Sequence, residues 1–141
     1  MIYRGLHRFI SHANYKYFIT FIDDYTHFTW VYFLRSKDEA FSVFKKFHAY
    51  VRTQFSSKIK ILRSDNEGNL HLIYFKNSCR QMIFYLKGHF LPHPQQNGVA
   101  ERKNRHLFYV AHTLLLKSFV PPRFWCEAFS TTIHLINRLP S

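Results

Sequence analysis

The stretch YFITFIDDYTHFTWVYFL, residues 17 to 34, constrains the fold more than any other part of the chain. It holds two runs rich in β-branched and aromatic residues, 17 to 26 and 28 to 34, a composition that suits a pleated, half-buried surface. Asp23 to His27 supplies turn chemistry between them. The two runs therefore read as a β-hairpin.

Helical patterns follow. Ser36-Lys-Asp-Glu predicts a helix start with a capping box, Ser36 at the cap and Glu39 three residues on. Phe41, Phe44, Phe47, Ala49, Tyr50, Val51 and Phe55 then approximate helical spacing. Residues 58 to 64 alternate as a strand should and end at Asp65, with the turn composition Asn-Glu-Gly after it. A weaker helix is expected over 70 to 82 and a short strand over 83 to 86. The polar loop 92 to 97 leads into a long helix, 98 to 119, with Ala100, Leu107, Ala111, Leu114 and Leu115 on one side. Pro121-Pro122 interrupts it, and a last helix over 123 to 138 carries Phe124, Trp125, Ala128, Ile133 and Ile136. Residues 1 to 14 carry little pattern. The order β-β-α-β-α-β-α-α predicts an α/β domain with a mixed sheet flanked by helices. With 141 residues and no repeat or linker, residues 1–141 read as a single domain.

Charge narrows the function classes. Twenty Lys and Arg face eight Asp and Glu, a formal net charge of +12 with a pI near 10. Such a field attracts nucleic acid or an anionic surface. The basic residues are spread along the chain, which favours a folded basic face over a disordered arm. An apolar content of 47% argues against disorder, and no apolar run reaches the length of a membrane span. The basic start MIYRGLHR has no signal-type apolar block after it, so the expected location is intracellular. Cys79 and Cys126 stand far apart and outside any Cys-x-x-Cys pattern, and the ten histidines show no metal-helix spacing. Aromatic residues, 19% of the chain, fall mostly at core-like spacing.

The acids are few: Asp23, Asp24, Asp38, Glu39, Asp65, Glu67, Glu101 and Glu127. Asp38 and Glu39 suit the positive end of a helix. Asp23 and Asp24 suit a hairpin turn. Glu127 reads as a surface or ion-paired residue. Asp65 ends a strand, where α/β proteins place ligand-binding groups. Glu101 opens a long helix among Arg102, Lys103 and Arg105. Two readings stay open. Asp65 caps a turn and Glu101 pairs with Arg105 at i,i+4, or the two carboxylates hold a hard divalent ion facing a polyanion.

Four blocks, YFITFIDDYTHFTWVYFL, KILRSDN, HPQQNGVAERKNRHL and PPRFWCEAFSTTIHLINRLPS, resemble in that order the integrase catalytic core of copia-type retrotransposon Pol polyproteins. The match covers roughly residues 15 to 141, and PQQNGVAERKNR is its most diagnostic part. The resemblance implies an RNase H-like fold with the first strand in the middle of the sheet. It implies two Asp and one Glu binding Mg²⁺ or Mn²⁺, and DNA integration by 3′-end processing and strand transfer. Asp65 matches the second Asp and Glu101 the Glu, as catalytic and metal-binding residues. Gln96, Asn97, Arg102, Lys103 and Arg105 would face DNA. A homo-oligomer and a nuclear location are implied in the same way, while the expectation of no membrane association comes from the lack of a long apolar run.

The resemblance also has departures. Met1 falls about where the family's first Asp belongs, in a segment resembling Asp-x-Trp-Gly-Pro, and Met is no ligand for hard Mg²⁺. Most of the central first strand would lie upstream of Met1. Glu67-Gly68-Asn69 replaces a Gly-Gly-Glu-like continuation, His93 stands where Thr is expected, and the family's zinc-binding His/Cys module is missing. The expectation is an N-terminally truncated, degenerate core without catalysis. Two alternatives remain open. One is an active integrase in which Asp23 or Asp24 substitutes for the first ligand. The other is a basic nucleic-acid-binding module without a metal site.

Overall fold

A computed structural model describes residues 2–4, 10–59 and 98–140, with residues 2–4 and 98–101 described by backbone alone. The chain divides into two compact units, Met1–Ser36 with Gly98–Ser141, and Lys37–Asn97.

The first unit is mixed α/β. Strands β1 (Ile2–Arg4), β2 (Tyr17–Ile22) and β3 (Thr29–Leu34) form a sheet in the order β1-β2-β3. Both pairings are antiparallel, Ile2 opposite Ile19 and Tyr17 opposite Leu34. The hairpin is where the sequence predicts it, although its first strand stops at Ile22 because the Asp23 turn begins there. β1 is a correction. Residues 1 to 14 show no strand pattern, yet Ile2–Arg4 pairs along β2, so its assignment comes from backbone pairing and not from alternation. β2 is buried through Phe18, Ile19, Thr20 and Phe21. Successive side chains point to opposite faces, so the strand is covered on both.

Two helices complete this unit, α2 (Gly98–Lys117) and α3 (Trp125–Ile136); α1 belongs to the other unit and is described below. α2 buries Leu107, Ala111 and Leu115, spaced four residues apart, as one stripe. Phe119, at φ 53°, takes the left-handed conformation just beyond it. Pro122 then opens a short 3-10 turn, Pro122–Phe124, at a position where its missing N–H costs nothing. The core joins Phe18, Leu107, Ala111, Leu115, Trp125, Cys126, Phe129 and Ile133. Phe129 is fully buried and meets Phe18 at 4.7 Å, Phe108 at 5.1 Å and Trp125 at 5.9 Å between ring centroids. Tilted and edge-on ring pairs of this kind add to plain area burial. Part of the aromatic content thus serves as core, while among the described residues Tyr25, Phe28, Tyr50, Phe55, Tyr109 and Phe119 are exposed, against the core-like spacing read from the sequence. Phe129 is absent from the face read off the sequence.

In the second unit, α1 (Ala40–Phe55) buries Ala40, Phe44 and Phe47. Tyr50 and Phe55 are exposed: Tyr50 lies off the 40-44-47 stripe, and Phe55 lies along it but at the last residue of the helix. The capping box is also corrected. A 3-10 turn, Lys37–Glu39, comes first, so Glu39 and not Ser36 is the N-cap of the α-helix, with no side-chain cap hydrogen bond. Of the strand expected over 58 to 64, Lys58 and Ile59 are not in a strand, and the remainder lies outside the described residues. The elements expected over 70 to 82 and 83 to 86 also lie outside them. No helix among the described residues is long and apolar enough to cross a membrane.

Candidate functional site

The sequence places its most diagnostic block around Glu101, and in the structure that block begins a helix. α2 starts at Gly98, so Glu101, Arg102, Lys103, Asn104 and Arg105 fall within its first two turns. At 100° per residue, positions 101, 104 and 105 fall on one side of the helix and 102 and 103 on others. Arg102 and Arg105 are exposed, Lys103 is half-buried, and Asn104 is buried with 3% exposure. Glu101 is described by its backbone alone. Asp65, Gln96 and Asn97 lie outside the described residues.

Two side chains tie this end of α2 to the hairpin. The Thr20 hydroxyl on β2 donates to the Asn104 carboxamide oxygen at 3.0 Å, a buried bond between residues 84 apart in sequence. The Lys103 ammonium donates to the backbone carbonyl of His27 in the β2–β3 turn. Burial holds that ammonium below the usual lysine pKa. Lys103 thus has a partner on the hairpin, and Arg102 and Arg105 are exposed on the same part of the helix.

The turn that receives Lys103 is built by Asp23. Its carboxylate accepts from the Thr26 hydroxyl at 2.6 Å and the Thr26 amide at 2.8 Å. The Asp23 amide donates to the Phe28 carbonyl at 3.0 Å, and the His27 amide donates to the Asp23 carbonyl at 2.9 Å. His27 closes the turn at φ 58°, a left-handed conformation. The Thr26 hydroxyl, followed by its amide, pulls the Asp23 pKa below the ordinary carboxylate value. Asp23 therefore has the turn role that its position predicts. Asp24 is exposed on the same turn. Glu127 pairs with His12, Oε1 to Nδ1 at 3.3 Å, on the surface of α3. Among the described residues, no three His, Cys, Asp or Glu come together in a way that could hold a metal ion.

Sequence reasoning passed over Thr20, Asn104 and Asn137. Asn137, just beyond α3, accepts from the Thr29 amide at 2.9 Å and donates to the Thr29 carbonyl at 2.8 Å. A signal for Asn104 was present, since it continues the buried Leu107-Ala111-Leu115 stripe with a polar residue. Thr20 likewise interrupts an apolar strand. A polar group in such a place needs a partner, and each supplies the other's.

No family model matches the chain. Similar curated proteins include the retrovirus-related Pol polyprotein from transposon TNT 1-94 of Nicotiana tabacum, 43% identical over 133 residues, which cover 89% of this chain and 10% of that protein. Another is the retrovirus-related Pol polyprotein from transposon RE2 of Arabidopsis thaliana, 35% identical over 139 residues, covering 94% of this chain and 9% of the relative. The corresponding protein from transposon RE1 of Arabidopsis thaliana is 35% identical over 133 residues, with coverage of 94% and 9%. The chain thus spans about a tenth of the length of these relatives.

Proposed function

The chain belongs to the retrovirus-related Pol polyproteins of plant transposons, matching a segment of them, and we propose that this segment is an integrase catalytic core of RNase H-like fold that binds DNA. The observation that carries the reading is the start of α2. A helix beginning at Gly98 sets Glu101 in its first turn, with exposed Arg102 and Arg105 beside it. A glutamate position flanked along the helix by residues with unburied guanidinium groups suits a ligand that combines a divalent cation with phosphate. Asp65 and Glu101 are the residues that would hold the ion. Their oxygen donors fit Mg²⁺ or Mn²⁺, which would polarise a phosphodiester. Arg102 and Arg105 would neutralise backbone phosphates, with Gln96 and Asn97 lining the approach. Lys103 contributes by fixing the helix to the hairpin.

The same reading makes these 141 residues inactive in integration by themselves. The acids before Asp65 are Asp23, Asp24, Asp38 and Glu39. Asp23 is committed to its turn through Thr26, which disfavours it as a substitute ligand. The remaining function is DNA binding, in the nucleus and in a homo-oligomer if the family pattern holds.

Calorimetry with Mn²⁺ tests the metal site, with Glu101→Gln as control. Binding that disappears in the control is expected, and equal heats for both proteins overturn the site. Binding to duplex DNA is expected to weaken steeply between ~50 mM and ~200 mM salt. Strand-transfer products formed with Mn²⁺ would refute the inactivity.

A further inference from the structure

We infer that Thr20 and Asn104 are positioning residues, which set the height of the Glu101 turn of α2 against the central β2 strand. This inference rests on the metal-site reading above and adds two residues to it.

The Thr20–Asn104 bond joins two side chains that are almost fully excluded from solvent, at 4% and 3% exposure. An apolar pair of the same size would fill that space at little or no cost in stability. A hydrogen bond adds geometry instead. One residue of helical rise is about 1.5 Å, so a slip of α2 by a single residue breaks a 3.0 Å bond. Leu107, Ala111 and Leu115 anchor the later turns by apolar contact, which tolerates small shifts. Among the described side chains before Leu107, Asn104 is the buried one. The start of the helix therefore depends on polar tethers.

Glu101 precedes Asn104 by three positions and shares its side of the helix. Fixing Asn104 on Thr20 fixes the backbone of Glu101 one turn away. The adjacent Lys103 makes the second tether, to the His27 carbonyl. One tether sets height along β2 and the other limits rotation about the helix axis. Ligand groups need placement within about half an ångström, and supporting residues provide it.

The test uses the 141-residue chain with Thr20→Val, which removes the hydroxyl, and Thr20→Ser, which keeps it. Two quantities are measured well below the unfolding transition, Mn²⁺ affinity by calorimetry and amide exchange along α2 by mass spectrometry. Thr20→Val is expected to weaken Mn²⁺ binding about 10- to 100-fold. It should speed exchange around residues 101 to 106 and leave 110 to 116 as they were, while Thr20→Ser behaves as the unaltered chain. Unchanged affinity and exchange in Thr20→Val overturns the inference, as does faster exchange spread evenly over α2. Should the valine variant not fold, Thr20→Ala is read in the same way, since it puts no methyl against the carboxamide. If the unaltered chain binds no Mn²⁺, the metal reading fails. The exchange pattern then decides the anchor alone, local loosening upholding it and even loosening overturning it.

Discussion

Asn137→Ala is expected to destabilise the protein far more than a half-buried residue just beyond a helix would suggest. The Asp23 amide donates to the Phe28 carbonyl, so that carbonyl faces β2. By the alternation of an antiparallel ladder, the amide and carbonyl of Thr29 face away from it. The Asn137 carboxamide takes both, at 2.9 and 2.8 Å, as a neighbouring strand would. Thr29 is only 1% exposed, so water is a poor substitute. Two hydrogen bonds contribute about 1 kcal/mol each, and the two stranded backbone groups add a desolvation cost of similar size, giving a loss of about 2 to 4 kcal/mol. For a chain of this length, the melting temperature should fall by about 6 to 15 °C. Thermal and urea unfolding followed by far-UV circular dichroism measures it, with exposed Arg138→Ala as control, expected within about 0.5 kcal/mol of the parent. Asn137→Asp adds a sign test. At neutral pH its carboxylate cannot donate to the Thr29 carbonyl, so it destabilises. Below about pH 4 the protonated acid can both donate and accept, and its deficit relative to the parent should shrink. An Asn137→Ala melting temperature within about 2 °C of the control would refute the surrogate-strand argument.

Three further outcomes follow from the described side chains. Trp125 is fully buried, and its indole N–H has no hydrogen-bond partner among the described residues. Trp125→Phe should therefore cost about 1 kcal/mol or less in urea unfolding, against about 3 to 5 for Trp125→Ala, and equal losses would contradict this. The folded pKa of Asp23 is depressed, so its contribution is present above the unfolded carboxylate pKa and is lost as pH falls through the folded value. Asp23→Ala should cost about 1 kcal/mol at pH 7, with the gap to the parent closing in acid; a gap independent of pH would count against the Thr26 bonds. Burial pushes the Cys126 thiol up to about 12, so iodoacetamide at pH 8 should leave it unlabelled until urea unfolds the chain. Rapid labelling of Cys126 in the native state would place it outside the core.

What the sequence made legible was local. The hairpin announces itself through adjacent runs and an Asp-rich turn, and the observed turn is organised by Asp23 as its composition predicts. α2 begins at Gly98, the residue predicted to open it, and Pro122 opens the turn before α3. Glu101 could therefore be assigned to the first turn of a helix from sequence. β1 escaped because Ile2–Arg4 is too short to alternate visibly and is defined by its pairing with β2. Ser36 misled because a capping box fits a 3-10 turn as well as an α-helix start. The Thr20–Asn104 and Thr29–Asn137 pairs left no local spacing to detect, since their members are 84 and 108 residues apart. Each is a single polar residue whose meaning depends on the residue facing it.

Those long separations also shape how the chain is made. Hairpins close in microseconds, so β2 and β3 can pair soon after leaving the ribosome. Asn137, the residue that occupies the outer polar groups of Thr29, is synthesised 108 residues after it. At about 5 to 20 residues per second, that delay is on the order of 5 to 20 s. During that interval the Phe18 side of the hairpin waits first for α2 and then for α3 to cover it, and the outer groups of Thr29 stand open to any passing strand. Nascent chains at high local density, as on a polysome, would be most prone to pair with one another during those seconds. The closing asparagine thus sets the end of a vulnerable period in biosynthesis as well as the end of a sheet.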